Sequence, residues 1–206
     1  LAGPFSDQPK RFATATQLLE AVERRRQESY VAARRVIDDP ATSIFVLDIQ
    51  SFLVRRAWRA ALGTGDLGLL TTPAQDFASD VLDRLRRRAV KRGEHLPDMP
   101  DEERHELRIA LKNLRYAVEF FGGLFAEDKA QRSFLRLVAD LQEDLGAHND
   151  AATAAAFIAT LGLEQDAAAQ FAAGYLLGFY RHASLVADTH LTKKWKNFRR
   201  AGAFWE

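Results

Sequence analysis

Apolar residues recur along this chain every three or four positions, in long runs separated by Gly, Pro, Asp and Asn. That spacing belongs to helices that bury one face; the β-branched residues of the 42–62 stretch leave some strand ambiguity, but that run is too long and unbroken for a hairpin. The clearest run is DMPDEERHELRIALKNLRYAVEFFGGLF, from Asp98 to Phe125. At about 100° per residue, Leu107, Leu111, Leu114, Val118 and Phe121 fall on one face. Pro100 and the acidic Asp101, Glu102 and Glu103 suit a first helical turn, and Gly122-Gly123 stops the run. The pattern predicts a helix over 101–121.

The same reading places helices on either side. One runs from Thr14 or Thr16 to about Ile37, ending before Asp38-Asp39-Pro40. A more apolar one, about Thr42 to Leu62, carries Ile44, Phe45, Leu47, Phe52, Val54 and Trp58. Gly63 to Gly68 is a connector without the Gly-Lys-Ser/Thr ending of a phosphate loop. Thr72-Pro73-Ala74-Gln75 reads as a capping Thr, a Pro at the first helical position and a Gln reaching back. The helix it opens runs to about Arg92, with Leu82, Leu85 and Ala89 inward. Glu127 to Leu145 is amphipathic, with Phe134, Leu135, Val138 and Leu141 inward. Gly146 reads as a break, after which Asn149 or Asp150 caps a helix through about Thr160. Asp150 has a competing role as an ion-pair partner for a motif arginine. The helix from Gln165 to about Thr189 sets Phe171, Tyr175 and Phe179 at i, i+4 and i+8 as core packing, with His182 a satisfied histidine. The tail, LTKKWKNFRRAGAFWE, is expected to clamp large rings onto the bundle, although its mix of base and aromatics also suits nucleic acid.

A chain of 206 residues makes one large helical domain or two small ones, enough to bury a core. With 47% hydrophobic and 28% charged residues the composition is that of an ordinary globular protein. No apolar run approaches the roughly 18 residues that a membrane helix needs. LAGPFSDQPKR lacks a basic-then-apolar export pattern. Zero cysteines exclude disulfides and thiol chemistry and fit a cytoplasmic setting.

A net charge of +1 argues against a globally basic nucleic-acid binder, so the distribution of charge matters more than its sum. Arg84 to Arg92 is dense in base, whereas acid gathers at Asp128, Asp140, Glu143, Asp144, Asp150 and Glu164. A focused positive groove on a nearly neutral body concentrates a polyanion. Three sets of cations are candidates, and a fourth reads as surface. His105, Arg108, Lys112 and Arg115 recur at i, i+3, i+7 and i+10 beside the apolar face of the 101–121 helix. The plain reading is a solvated face with Glu119 paired to Arg115. Arg84, Arg87, Arg88 and Lys91 lie opposite Leu82, with no acid in the stripe. Like charges at this spacing repel by a few tenths of a kcal/mol per pair, so something should offset them. Arg55, Arg56 and Arg59 share one side at i, i+1 and i+4 and suit either a groove or the surface. Arg24, Arg25, Arg26, Arg34 and Arg35 are interleaved with Glu20, Glu23 and Glu28, which marks a salt-bridged exposed helix. The stripes of Arg84 and of His105, on consecutive helices joined by a short Gly93-to-Pro97 turn, are expected to face one cavity.

Catalytic patterns are missing from the sequence. The five histidines (His95, His105, His148, His182 and His190) form no H-E-x-x-H pair, and no nucleophile elbow or dinucleotide loop occurs. No catalytic residue, metal ligand or cofactor is therefore assigned, and a non-enzymatic protein is expected. His105 beside Arg108 suits donation to an anion, more so at lower pH. Guanidinium groups fit phosphate because they stay charged and present a fork of donors.

H-E-L-R-I-A-L-K-N-L-R-Y-A-V-E-F-F resembles the signature of the conserved-histidine alpha-helical domain, the CHAD family, in its H-x-x-R-x-x-x-K-x-x-R-Y form. LQEDLGAHNDAATA is similar to that family's second marker, and Trp195, Phe198, Phe204 and Trp205 to its closing tail. The resemblance covers about half the chain. It implies an all-α antiparallel helical bundle, a pair of four-helix halves whose basic cavity binds inorganic polyphosphate without reaction chemistry. On that pattern residues 1–68 are the remainder of a first half and 69–206 a second bundle containing the motif helix, together one module. The motif occurs once, at His105, so the first half is expected to be incomplete. The expected polyphosphate contacts are His105, Arg108, Lys112, Arg115, Arg84, Arg87, Arg88, Lys91, Arg55 and Arg56. The expected location is the cytoplasm or a polyphosphate granule. One alternative is an accessory domain of a triphosphate-hydrolysing enzyme; another is a nucleic-acid or protein-interaction bundle. Nucleic acid is disfavoured because no helix mixes base with Asn or Gln at base-reading positions. Oligomeric state is not legible.

Overall fold

A computed structural model describes residues 15–63, 68, 70–96, 99–126 and 129–206, the side chain of Ala61 excepted. The N-terminal segment, most of the 63–68 connector, Pro97, Asp98 and Glu127 lie outside the described residues. Within them the chain is all-α: α1 Thr16–Ile37, α2 Pro40–Val54, α3 Ala74–Arg92, α4 Asp101–Phe121, α5 Lys129–Ala159 and α6 Ala167–Arg200. No strand occurs among the described residues. Two compact units emerge, one of residues 1–72 with 161–173 and the other of 73–160 with 174–206.

In the first unit, Asp39 accepts a hydrogen bond from the Ala41 amide at 2.8 Å, and Pro40 sits inside the first turn of α2. Both are start signals that propensity alone supports. α1 buries Leu18 and Ala21. Its charges satisfy one another: Arg26 meets Glu23 at 2.7 Å and Arg25 meets Glu28 at 3.1 Å. Hydrogen bonds from Arg26 and then Gln27 hold the Glu23 carboxyl down at about 2, against the usual 4.5. The helix is the salt-bridged, exposed one that its sequence predicts. α2 differs from expectation on two counts. It ends at Val54, because Arg56 takes a left-handed conformation (φ 52°) before a 3-10 turn at Ala57–Ala61. Arg55, Arg56 and Arg59 therefore do not share one helical side. It also buries none of its residues; Phe45 and Leu47 are each 62% exposed.

The second unit holds the core. α4 packs against α3 and α5, and its buried Leu107, Leu111, Leu114 and Val118 match the face read from the sequence. α3 contributes Ala78, Leu82 and Ala89. Thr72 does not cap it: its hydroxyl reaches the Gly68 carbonyl at 3.5 Å, and the helix begins after Pro73. The tail closes the core as expected, with Trp195, Phe198 and Trp205 buried. Phe134 meets Trp205 edge-on at 5.1 Å, and the Trp205 indole donates to Asp83 at 2.9 Å. Burial of such rings contributes roughly 1.5–3 kcal/mol each.

Two boundaries move. α5 is one helix through Gly146, because its buried stripe, Phe134, Val138, Leu141, Leu145 and His148, keeps period across that glycine. Packing of a continuous face outweighs the cost of about 1 kcal/mol for a mid-helix Gly. Neither Asn149 nor Asp150 is then a cap. α6 extends to Arg200, and its inward face is Ala172, Ala173, Leu176 and, further on, Leu191. Phe171 and Phe179 lie off that phase, 61% and 47% exposed, so they are not core packing; His182 is exposed.

Candidate functional site

α4 presents two flanks beside its buried face, and each meets a different helix. On one, Glu106 pairs with Arg92 of α3 at 3.1 Å. On the other, the imidazole Nδ1 of His105 donates to Asn149 Oδ1 at 2.8 Å, and Arg115 Nη1 donates to Gln142 Oε1 at 3.3 Å. Both partners belong to α5. The phase explains this: Arg108 and Arg115 lie about 80–100° from Leu107, and Glu106 about 100° the other way.

Between α4 and α5 lies a depression of about 400 Å³ lined by Arg108, Lys112, Arg115, Tyr116, Ala139, Gln142 and Glu143. Arg115 is shared, because Glu119 accepts from its Nε at 2.8 Å one turn further along α4. Arg108 and Lys112 make no ion pair with a described residue. The Arg108 Nε is buried and has no hydrogen-bond acceptor. It lies over Gly146, where a Cβ would come within 3.9 Å of it. An unpaired buried donor on one cation, in a depression that a second unpaired cation also lines, favours occupation by an anion.

The cations of α3 belong elsewhere. Arg87 and Lys91 line a separate depression with Asp83, Arg86, Val90 and Glu94. Arg87 is not free of acid, since Asp83 sits 3.8 Å away one turn earlier. Arg84 and Arg88 are exposed on the same helix. The expected cavity shared by both stripes is therefore not formed. α3 packs on the Glu106 flank of α4, whereas the basic stripe of α4 turns toward α5. His105 lines neither depression; it borders a cleft of about 390 Å³ with Asp101, Glu102, Arg104, His148 and Asn149. Arg55 and Arg56 are exposed in the other unit.

The sequence reading passed over one cluster. Arg104 Nη1 donates to Asp188 Oδ1 at 2.8 Å, and its Nε donates to the Met99 carbonyl at 2.9 Å. His148 Nε2 lies 3.0 Å from the same Asp188 oxygen, with its side chain only 7% exposed. Lys194 Nζ reaches the Asp144 carboxylate at 2.8 Å. His148 continues the buried period of α5, which was a usable signal. Nothing in the sequence singles out Asp188. No group of three His, Asp or Glu side chains suited to a metal ion occurs among the described residues. No described helix is long and apolar enough to cross a membrane.

The arrangement is that of an all-α bundle with a cation-lined depression on one helix pair. A model of the CHAD domain matches residues 2–159, and the chain belongs to that family. No match to a curated protein or to a solved structure was found.

Proposed function

We propose that this chain binds inorganic polyphosphate as a non-catalytic module, through Arg108, Lys112 and Arg115 in the α4–α5 depression. The observation that carries the reading is the unneutralised pair Arg108 and Lys112, with the Arg108 Nε buried and without an acceptor. Phosphate oxygens supply what that pair lacks: negative charge and several acceptors within one ligand. Membership of the CHAD family, one associated with polyphosphate and triphosphate-related proteins, supports a phosphate ligand. The lining offers cations, an amide and one carboxylate, a set that holds an anion rather than a nucleophile with its base. A cytoplasmic protein recruited to polyphosphate granules fits this reading.

Isothermal titration with polyphosphate at two salt concentrations tests it. Affinity should fall steeply with salt, by analogy with counterion release from nucleic acids. Arg108→Ala should weaken binding by about 1–3 kcal/mol, the range for hydrogen bonds to charged groups. Arg108→Lys should recover part of that, since the charge stays and the fork is lost. Arg25→Ala should change nothing, because Arg25 is exposed in the other unit and pairs with Glu28. Equal losses for Arg25→Ala and Arg108→Ala would mean diffuse attraction and would remove the assigned site.

A further inference from the structure

The α4–α5 depression holds two side chains for which a bare phosphate chain has no use. Tyr116 is 56% exposed and lines it one residue beyond Arg115. It makes no hydrogen bond or ring contact with a described residue, unlike nearby Phe120, whose ring meets Phe121 at 4.9 Å. Glu143, exposed on the α5 wall, makes no ion pair with a described residue. A carboxylate in that position repels a phosphate chain that runs past it. A volume of about 400 Å³ also falls within the range of pockets that enclose a small molecule, roughly 300–1,000 Å³.

We infer that the depression takes a nucleoside polyphosphate: phosphates on Arg108, Lys112 and Arg115, the base against Tyr116, and ribose hydroxyls toward Glu143. The inference rests on the reading that these three cations hold phosphate, and adds the organic group at the end of the chain. Arg108 and Tyr116 lie about 12 Å apart along the α4 axis, room for a short phosphate run and a sugar before the base. A ring face accepts any base by stacking, so the site would tolerate different bases. A carboxylate accepts hydrogen bonds from vicinal hydroxyls, the role acidic residues take toward ribose in dinucleotide sites.

Titration with adenosine triphosphate and with inorganic tripolyphosphate, without divalent metal and at one low salt concentration, separates the two layers. The wild-type chain should bind the nucleotide about fivefold or more tightly, the low end of one base–aromatic stack, although the nucleotide carries less negative charge. Tyr116→Ala should bring the two ligands to parity, and Tyr116→Phe should keep the preference. Both variants should retain the wild-type circular dichroism, because the side chain is exposed. Arg108→Ala should weaken both ligands alike. Tripolyphosphate binding as tightly as the nucleotide would overturn the inference and leave the phosphate reading standing, and so would a preference that survives Tyr116→Ala. Binding of neither ligand, or no effect of Arg108→Ala on either, would overturn both.

Discussion

Two glycine-to-alanine substitutions, chemically identical, should move stability in opposite directions. Gly93 follows α3 with φ −97° and ψ 12°, a conformation open to any L-residue, so its backbone alone does not demand glycine. The side-chain space does. A Cβ there would overlap the Trp195 ring, the third nearest of its atoms only 2.8 Å away. Trp195 is 5% exposed and stacks at 5.3 Å on Phe198, which is fully buried, so the ring has nowhere to retreat. Overpacking of this kind costs about 1–3 kcal/mol. The stiffer unfolded chain returns about 0.4–1 kcal/mol, so the mid-range balance leaves Gly93→Ala destabilised by about 1.3 kcal/mol. Gly146 lies inside α5, and its Cβ would find nothing nearer than Arg108 Nε at 3.9 Å, an ordinary contact. Gly146→Ala should therefore stabilise by about 0.5–1 kcal/mol through helix propensity. Urea unfolding followed by circular dichroism measures both. A Gly93→Ala variant as stable as the wild type would show that Trp195 does not sit over Gly93, and the placement of the tail on the core would fail with it.

Leu114→Ala, at a fully buried position of α4, should lose about 2–5 kcal/mol of stability in the same urea experiment; a loss under about 1 kcal/mol would contradict its burial. Glu119→Gln should strengthen polyphosphate binding by about two- to fivefold in the titration, because it releases Arg115 from a partly exposed ion pair of modest strength. Unchanged or weaker binding would mean that Glu119 orients Arg115 for the ligand rather than competing with it.

The helices were legible wherever a buried face kept its period. Leu107, Leu111, Leu114 and Val118 stand inside as their spacing requires. Boundaries failed where a local rule competed with packing. Gly146 looked like a stop, but the stripe from Phe134 to His148 passes straight through it. Phe171 and Phe179 shared a helical side, yet a neighbouring stripe of alanines took the inward position. The motif cations were legible as a stripe. What one stripe could not reveal was which neighbour it turned to. A flank of α4 is defined only once α3 and α5 have taken their sides, and that choice depends on pairs such as Arg92 with Glu106, far apart in sequence.

The same consideration decides which cations are free for a ligand. Arg92, Arg104, Arg108, Lys112, Arg115 and Lys194 are alike in the sequence as basic residues at helical spacing. In the folded unit Arg92 meets Glu106, Arg104 meets Asp188, Lys194 meets Asp144 and Arg115 meets Glu119. The first three pairs join α3 to α4, α4 to α6 and α5 to α6, and the last lies within α4. Arg104 and the Asp144 partner of Lys194 are largely buried, so removing the partner of either would strand a charge away from water. Of these six, Arg108 and Lys112 are what the pairing leaves over, and they line one depression beside a third cation held only by an exposed carboxylate and an amide. On the proposed reading, the capacity for an anion resides in the cations of the α4–α5 seam that lack a carboxylate partner, Arg108 and Lys112. On that reading, a nearly neutral chain can hold a polyanion because cations elsewhere in the fold, such as Arg104 and Lys194, already have carboxylate partners.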